Sequence, residues 1–116
     1  MFAKAGLMTH VYPADALLHG LPDLLPDVLV ADTNSRLDTA EQAYAKVYAA
    51  TVALRSAGCT RLINKTCSVF RGNVGPEIDA MLDELGEGFG VCVAAFPKNG
   101  RVTELNPAAE RMFGYA

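Results

Sequence analysis

Short apolar runs alternate along this chain with segments in which apolar residues recur every three or four positions. The clearest runs are residues 28–31 and 91–95, and the clearest helical stripe is formed by Ile78, Met81, Leu82 and Leu85. Such alternation is typical of βαβ units around a mostly parallel sheet. We therefore predict an α/β domain with a three-layer architecture, in which helices flank an open, mostly parallel sheet.

Local signals place the individual elements. Strands are predicted over residues 7–11, 28–31, 61–64 and 91–95, the last ended by Pro97. One helix is predicted to begin at a capping box of Asp38 and Glu41 and to end at Gly58. A second helix is predicted to have Pro76 in its first turn and to end at Gly86. The apolar face of the first helix is expected to pack on the sheet; it consists of Ala40, Ala43, Tyr44, Val47, Thr51 and Leu54.

Composition limits both the size of the fold and its partners. The chain has 116 residues, of which 51% are hydrophobic and 20% charged, so one core is expected and disorder is not. The net charge of −3 argues against nucleic acid or an anionic membrane as a partner. The sequence has neither an apolar run of bilayer length nor a signal-peptide pattern, so we expect a cytoplasmic protein.

The cysteine and histidine residues do not form a metal-binding pattern. The three cysteines match neither a disulfide framework nor a paired zinc motif. Cys59 and Cys92 are interpreted as core residues, whereas Cys67, which lies among cations, is either structural or a reactive thiol. His10 and His19 have no neighbouring Cys or His, so no metal site is predicted.

Three loops that follow predicted strands contain half of the basic residues. Ligands of open α/β sheets bind outside the carboxyl ends of the strands. The loops 32–36, 65–73 and 97–101 place five of the ten Lys and Arg residues there, namely Arg36, Lys65, Arg71, Lys98 and Arg101. This pattern predicts a site for a small polyhydroxylated anion. The alternative is that these cations form ion pairs with Asp32, Asp38, Glu77 or Asp79.

Motifs for nucleotide binding and for a catalytic nucleophile are absent. The sequence has no G-x-x-x-x-G-K-[ST] and no G-x-S-x-G motif. The glycines of residues 86–90 precede a strand, whereas a dinucleotide fingerprint follows one. We therefore assign no catalytic residue.

The three loops resemble motifs of the N-terminal, substrate-binding domain of the four-carbon acid sugar kinases. Residues 32–36 (D-T-N-S-R) are similar to the family's D-T-x-S-R, and residues 65–73 (K-T-C-S-V-F-R-G-N) to its K-x-D-S-T-x-R-G-N. Residues 95–101 (A-F-P-K-N-G-R) are similar to its A-F-P-x-x-G-R.

The resemblance implies a kinase that transfers the γ-phosphoryl group of ATP, with Mg²⁺, to a hydroxyl of a threonate-like or erythronate-like acid. It identifies no site for ATP or Mg²⁺ in this chain. The residues expected to bind or position the anionic sugar acid are Ser35, Arg36, Lys65, Ser68, Arg71, Gly72, Asn73, Lys98 and Arg101.

The sequence also departs from the family pattern. It lacks the family's first strand with its D-D-x-T-G-A loop and the nucleotide-binding half, and Cys67 stands where the motif has Asp. We therefore expect a partial substrate-binding domain over residues 1–102 that does not catalyse transfer alone. The alternative is a non-catalytic interaction module that pairs through an open sheet edge, either with itself or with a partner such as a separate nucleotide-binding domain.

The C-terminal residues have a second resemblance. Residues 104–115 are similar to the early segment of a PAS sensory domain. Residues 103–116 are therefore expected to form a helical tail, which is either a plain C-terminal cap or a fusion junction.

Overall fold

The computed structural model describes residues 2–66 and 70–88, together with the backbone of residues 93–96 and 101–105. A 3-10 turn covers Ala3–Ala5 near the N-terminus. The remaining elements in chain order are β1 (Thr9–Pro13), α1 (Ala14–His19), β2 (Val28–Asp32), α2 (Ala40–Ser56), α3 (Val74–Leu85), β3 (Val93–Phe96) and β4 (Arg101–Leu105). This order confirms the predicted α/β class.

Strands β1 and β2 form a parallel pair. Thr9 is opposite Val28 and Pro13 is opposite Asp32, so the two strands end at the same edge of the sheet. At the other edge, the backbone N–H of Met8 donates to Asp27 Oδ2 at 2.8 Å. The crossover between the strands contains α1, a short helix that the sequence analysis did not predict. The parallel pairing itself agrees with the prediction.

Strands β3 and β4 form an antiparallel hairpin. Val93 is opposite Leu105 and Phe96 is opposite Arg101. Strand β3 ends immediately before Pro97, as predicted, but its partner differs from the parallel sheet expected for it. Only four residues separate the two strands, and a parallel connection needs a crossover of a dozen or more. Strand β4 also crosses the boundary after residue 102, which stays a prediction.

The predicted strand over residues 61–64 is not formed. These residues have no regular secondary structure, and in the described part of the chain no strand pairs with them. A strand exists through hydrogen bonds to a neighbour, so an apolar segment without one has no ladder to join. This prediction was wrong because it considered the segment alone.

Helix α2 has well-defined ends. Thr39 is the N-cap: its side chain accepts from the Gln42 backbone N–H at 3.3 Å, and Gln42 Oε1 accepts from the Thr39 N–H at 3.1 Å. The predicted box of Asp38 and Glu41 was therefore wrong by one position. Asp38 instead forms an ion pair with Lys46, whose Nζ lies 2.5 Å from its Oδ2.

The predicted helix ends are confirmed at Gly58 and Gly86. Gly58 has a φ of +90°, and its N–H donates to the Arg55 carbonyl at 2.9 Å, while Cys59 N–H reaches the Leu54 carbonyl. Gly86, with a φ of +69°, ends α3 by the same two-bond Schellman arrangement. Pro76 lies in the first turn of α3, as predicted.

The core of the described residues lies between the helices and the parallel strands. Helix α2 packs against α3 and α1 as well as β2. Ala43 on α2 and Ala80 on α3 have no exposed surface. The buried apolar residues are Ala14, Leu17, Ala43, Val47, Ala50, Ala53, Ala57 and Ala80. Small side chains thus let the helices approach closely.

None of the described helices combines the length and the apolarity needed to cross a bilayer.

Candidate functional site

The loop that leaves β2 turns inward immediately after the strand. Asp32 Oδ1 accepts a hydrogen bond from the Asn34 backbone N–H at 3.1 Å, and Asn34 has a φ of +45°. Asparagine tolerates this left-handed conformation better than most residues. The turn brings Ser35 into the interior, where only 4% of its surface is exposed.

The second polar loop is held directly against the first. Asn73 Nδ2 donates to the carbonyl oxygens of Ser35 and Asp38, each at 2.8 Å. Gly72 lies so close to Arg36 that a Cβ atom built on Gly72 would be 2.8 Å from Arg36 Cγ. Two of the motifs that the sequence analysis singled out are therefore adjacent in the fold.

Glu77 of α3 links the first polar loop to the segment that precedes the second. Ser35 Oγ donates to Glu77 Oε1 at 2.6 Å, and Asn64 Nδ2 is 3.5 Å from Glu77 Oε2. Thr33 Oγ1 in turn lies 2.8 Å from Ser35 Oγ. The side chains of Thr33, Ser35, Asn64 and Glu77 thus form one polar network.

A cleft of about 1150 Å³ opens beside this network. We call it the polar cleft, because Thr33, Arg36, Asn64, Lys65, Arg71 and Glu77 line one part of it. Apolar residues of β2, α2 and α3 line the remainder, including Leu29, Val47, Leu54 and Met81. The cleft therefore combines charged and neutral hydrogen-bonding groups with an apolar floor.

The three described cations of the predicted site do not form the ion pairs that were the alternative to an anion site. The salt bridges among the described residues join Lys46 to Asp38 and Arg55 to Glu84. Arg36, Lys65 and Arg71 are exposed, and none is in a salt bridge there. Glu77, one of the acids considered as an ion-pair partner, binds Ser35 and Asn64 instead. Within the described residues, the positive charges at the polar cleft are thus not neutralised by an ion pair.

The predicted site residues fall into three groups. Ser35 and Asn73 make hydrogen bonds within the protein, and Gly72 provides the close contact between loops. Arg36, Lys65 and Arg71 line the polar cleft. The side chains of Ser68, Lys98 and Arg101 lie outside the described residues, as does the thiol of Cys67.

Three residues of the network, Thr33, Asn64 and Glu77, were missed as site residues. Asn64 was assigned only to the predicted strand over residues 61–64. Thr33 is part of the D-T-N-S-R motif, so its position between Asp32 and Ser35 was a usable signal. Glu77 was considered only as an ion-pair partner. Its contact with Ser35 spans 42 positions, which no local pattern reveals.

A smaller cleft of about 750 Å³ between α2 and α3 has the opposite character. Glu41, Asp79, Asp83 and Glu87 line it together with Tyr44. Tyr44 Oη donates to Asp83 Oδ2 at 2.6 Å, and this hydrogen bond to a carboxylate raises the pKa of Tyr44 to about 12. Since its lining is acidic, this cleft does not suit an anion.

Fold and site together define an α/β domain whose loops, at the carboxyl end of the parallel strand β2, form a cleft with cations along its rim. This is the position at which open α/β sheets bind ligands. The family model for the sugar-binding N-terminal domain matches residues 1–106. The chain belongs to this family, and its resemblance to the four-carbon acid sugar kinases is confirmed.

Similar proteins are kinases of four-carbon acids. The D-erythronate kinase of Heliobacterium modesticaldum is 45% identical over 107 residues, which are 89% of this chain and 24% of that protein. The 3-oxo-tetronate kinase of Burkholderia multivorans is 43% identical over 79 residues, 65% of this chain and 18% of that protein. That of Cupriavidus necator is 39% identical over 93 residues, 71% and 22% respectively. The chain thus spans about a fifth of the length of these relatives.

The family match does not extend through the C-terminal tail. It ends at residue 106, and residues 106–116 lie outside the described part of the chain. The expected helical tail and its PAS resemblance therefore stay predictions.

Proposed function

We propose that the polar cleft binds the carboxylate of a small polyhydroxylated acid, such as threonate or erythronate. The observation that supports this most directly is the set of three cations, Arg36, Lys65 and Arg71, which line the cleft without a salt bridge to any described residue. The names of the relatives, D-erythronate kinase and 3-oxo-tetronate kinase, indicate the same class of ligand.

Each basic residue has a distinct role in this proposal. The guanidinium groups of Arg36 and Arg71 can each form two parallel hydrogen bonds to a carboxylate, whereas Lys65 contributes a point charge. Ser35 and Asn73 position the loops, since both are hydrogen-bonded within the protein. Ser68, Lys98 and Arg101 are proposed as further ligand contacts on the basis of the motifs.

We infer further that this chain contributes substrate binding, and not phosphoryl transfer, to a kinase reaction. The kinase names of the relatives imply ATP and a divalent metal. No group of three or more His, Cys, Asp or Glu residues that could hold a metal occurs in the described part of the chain. The sequence also has no glycine-rich phosphate loop of the P-loop type. We therefore assign no step of the transfer to these residues.

Calorimetric titration of the 116-residue chain with threonate and erythronate tests the binding proposal. We expect saturable binding that weakens with salt, because the contacts are between charges. Arg71→Ala should weaken it about tenfold or more, since a hydrogen bond to a charged group is worth roughly 1.5–3 kcal/mol. Lys65→Ala should also weaken it, while Lys4→Ala, an exposed lysine that does not line the cleft, should have no effect. Binding that is absent, or equal in Arg71→Ala, would refute the proposal.

The open sheet edge favours a second candidate function, that of an interaction module. In the described part of the chain β2 has a strand neighbour on one edge only. Ile63, in the unpaired segment beside the polar cleft, is 72% exposed. Unpaired strand edges and exposed apolar side chains promote pairing with another chain. Light scattering over a concentration series should then show association, and a monomer at every concentration would count against this candidate.

A further inference from the structure

The hydrogen bonds of Thr33, Ser35 and Glu77 have a defined direction. A carboxylate only accepts hydrogen bonds, and a serine hydroxyl has one proton to donate. Ser35 uses that proton on Glu77 Oε1, at 2.6 Å. The contact between Thr33 Oγ1 and Ser35 Oγ, at 2.8 Å, must therefore be donated by Thr33. The proton of Thr33 is directed at Ser35 Oγ.

This direction determines what Thr33 can offer to a ligand. With its proton committed to Ser35, the Thr33 hydroxyl retains lone pairs that can accept a hydrogen bond. Its contact with Ser35 is the one hydrogen bond of its side chain within the described residues. Thr33 is half-buried and lines the polar cleft together with Arg36, Lys65 and Arg71. A neutral acceptor thus lies among cations that can only donate.

We propose that Thr33 Oγ1 accepts a hydrogen bond from a hydroxyl group of the bound acid, and that Glu77, acting through Ser35, is the positioning residue that makes Thr33 an acceptor. This inference rests on the proposed binding of a polyhydroxylated acid. In this arrangement the cations bind the carboxylate of the ligand, and Thr33 binds one of its hydroxyl groups. Thr33 and Glu77 together would make the cleft prefer hydroxy acids over acids of equal length and charge that lack hydroxyls.

The placement of Glu77 is difficult to explain by charge alone. A carboxylate beside an anion site repels the ligand, so its removal should strengthen the binding of every acid. The positioning role has a different effect, because it changes the preference between acids and not their common affinity. The ratio of the dissociation constants of butyrate and threonate isolates this preference, since both acids have four carbons and one carboxylate.

Calorimetry with threonate and butyrate on the 116-residue chain and four variants tests the proposal. We expect the wild type to bind threonate more tightly than butyrate. Thr33→Val removes the acceptor with little change in shape and should reduce that preference by about two- to tenfold. Thr33→Ser keeps the hydroxyl and should retain most of it. Glu77→Gln should also reduce the preference, because the amide of Gln can donate to Ser35 and so reverse the direction of the hydrogen bonds from Ser35 to Thr33.

The control for Glu77→Gln is Asp79→Asn. Both substitutions remove one negative charge from the first half of α3, but Asp79 is exposed and outside the Ser35 network. Asp79→Asn should leave the preference unchanged. Thermal denaturation followed by circular dichroism verifies that each variant is folded.

The outcomes separate this inference from the proposed function. If the wild type binds both acids equally, or if Thr33→Val weakens both to the same extent, Thr33 does not recognise a hydroxyl and the inference fails while anion binding stands. If Glu77→Gln and Asp79→Asn have the same effect, Glu77 acts only through its charge and its positioning role is refuted. If the wild type binds neither acid, the proposed function itself fails.

Discussion

Gly72 is a residue at which the two polar loops approach each other closely. Its φ of +97° is a left-handed conformation that side chains other than glycine's rarely adopt. A Cβ atom there would also lie 3.0 Å from the Arg36 carbonyl oxygen, so the clash involves backbone as well as side chain. Glycine at position 72 therefore permits the close approach of Arg36, since a side chain there would displace Arg36 from its position in the cleft.

Gly72→Ala should destabilise the fold more than Gly58→Ala. Both positions have a positive φ, which costs alanine about 1–2 kcal/mol, but Gly58 has open space around it. The additional clash at Gly72 should bring its loss of unfolding free energy to about 2–4 kcal/mol. Urea denaturation of the two variants measures the difference. Equal losses would show that the loops are not in close contact at Arg36.

The motifs of the sequence predicted which loops form the cleft, but not the contacts within it. Arg36, Lys65 and Arg71 line it as expected, because loops that leave strands gather at one edge of a sheet. That Asn73 would bind the carbonyls of Ser35 and Asp38 was not predictable. Such hydrogen bonds form between loops that are more than thirty positions apart in the sequence. A single sequence does not show how far apart these loops lie in the fold.

At the scale of elements, two polar contacts tie α2 to α3 on the exposed side of their interface. Tyr44 Oη donates to Asp83 Oδ2 at 2.6 Å. Arg55 Nη1 donates to Glu84 Oε1 at 2.9 Å and to its carbonyl at 2.7 Å. One contact lies near the start of α2 and the other near its end. Together with the buried Ala80, they fix how the helices align along their length.

The Tyr44 contact predicts a loss of stability at alkaline pH. Because the pKa of Tyr44 is raised to about 12 in the folded state, the folded protein holds this proton more tightly than the unfolded chain does. The resulting stabilisation is present below pH 10 and is lost as the pH rises from 10 through about 12. Spectrophotometric titration of the wild type against Tyr44→Phe isolates the Tyr44 transition. Asp83→Asn should move the Tyr44 transition towards pH 10, while Asp79→Asn should change it little. A Tyr44 transition near pH 10 in the wild type would contradict the contact with Asp83.

The elements themselves were predictable to the extent that their signals are local. The ends of α2 and α3 at Gly58 and Gly86 follow from glycines in left-handed conformations, which act within a few residues. Strand pairing is not local. The segment 61–64 has the composition of a strand but pairs with no strand in the described part of the chain, and β3 pairs with β4 because the connection between them is short. Both errors came from assigning a partner that the sequence does not specify.

At the scale of the molecule, the described core is made mostly of small side chains. Six of the eight buried apolar residues are alanine, and no large side chain of the described residues is fully buried. Leu29 and Leu54 instead face the polar cleft, whose wall also includes the unpaired segment 61–64. The molecule therefore has an apolar surface between β2 and this segment, which a further strand from another chain could cover.

Hydrogen exchange followed by mass spectrometry should locate any such association. In dilute solution the amides of residues 61–64 should exchange rapidly because they have no strand partner among the described residues, while those in the middle of α2 should exchange slowly. If chains pair through the open edge of β2, exchange over residues 61–64 should slow as concentration rises, with α2 unchanged.

Ile63→Lys should prevent this slowing. Leu37→Lys is the matched control, since Leu37 is 94% exposed but does not line the cleft. Slow exchange of residues 61–64 at every concentration would instead mean that this segment already has a partner within its own chain, and the interaction-module candidate would fail.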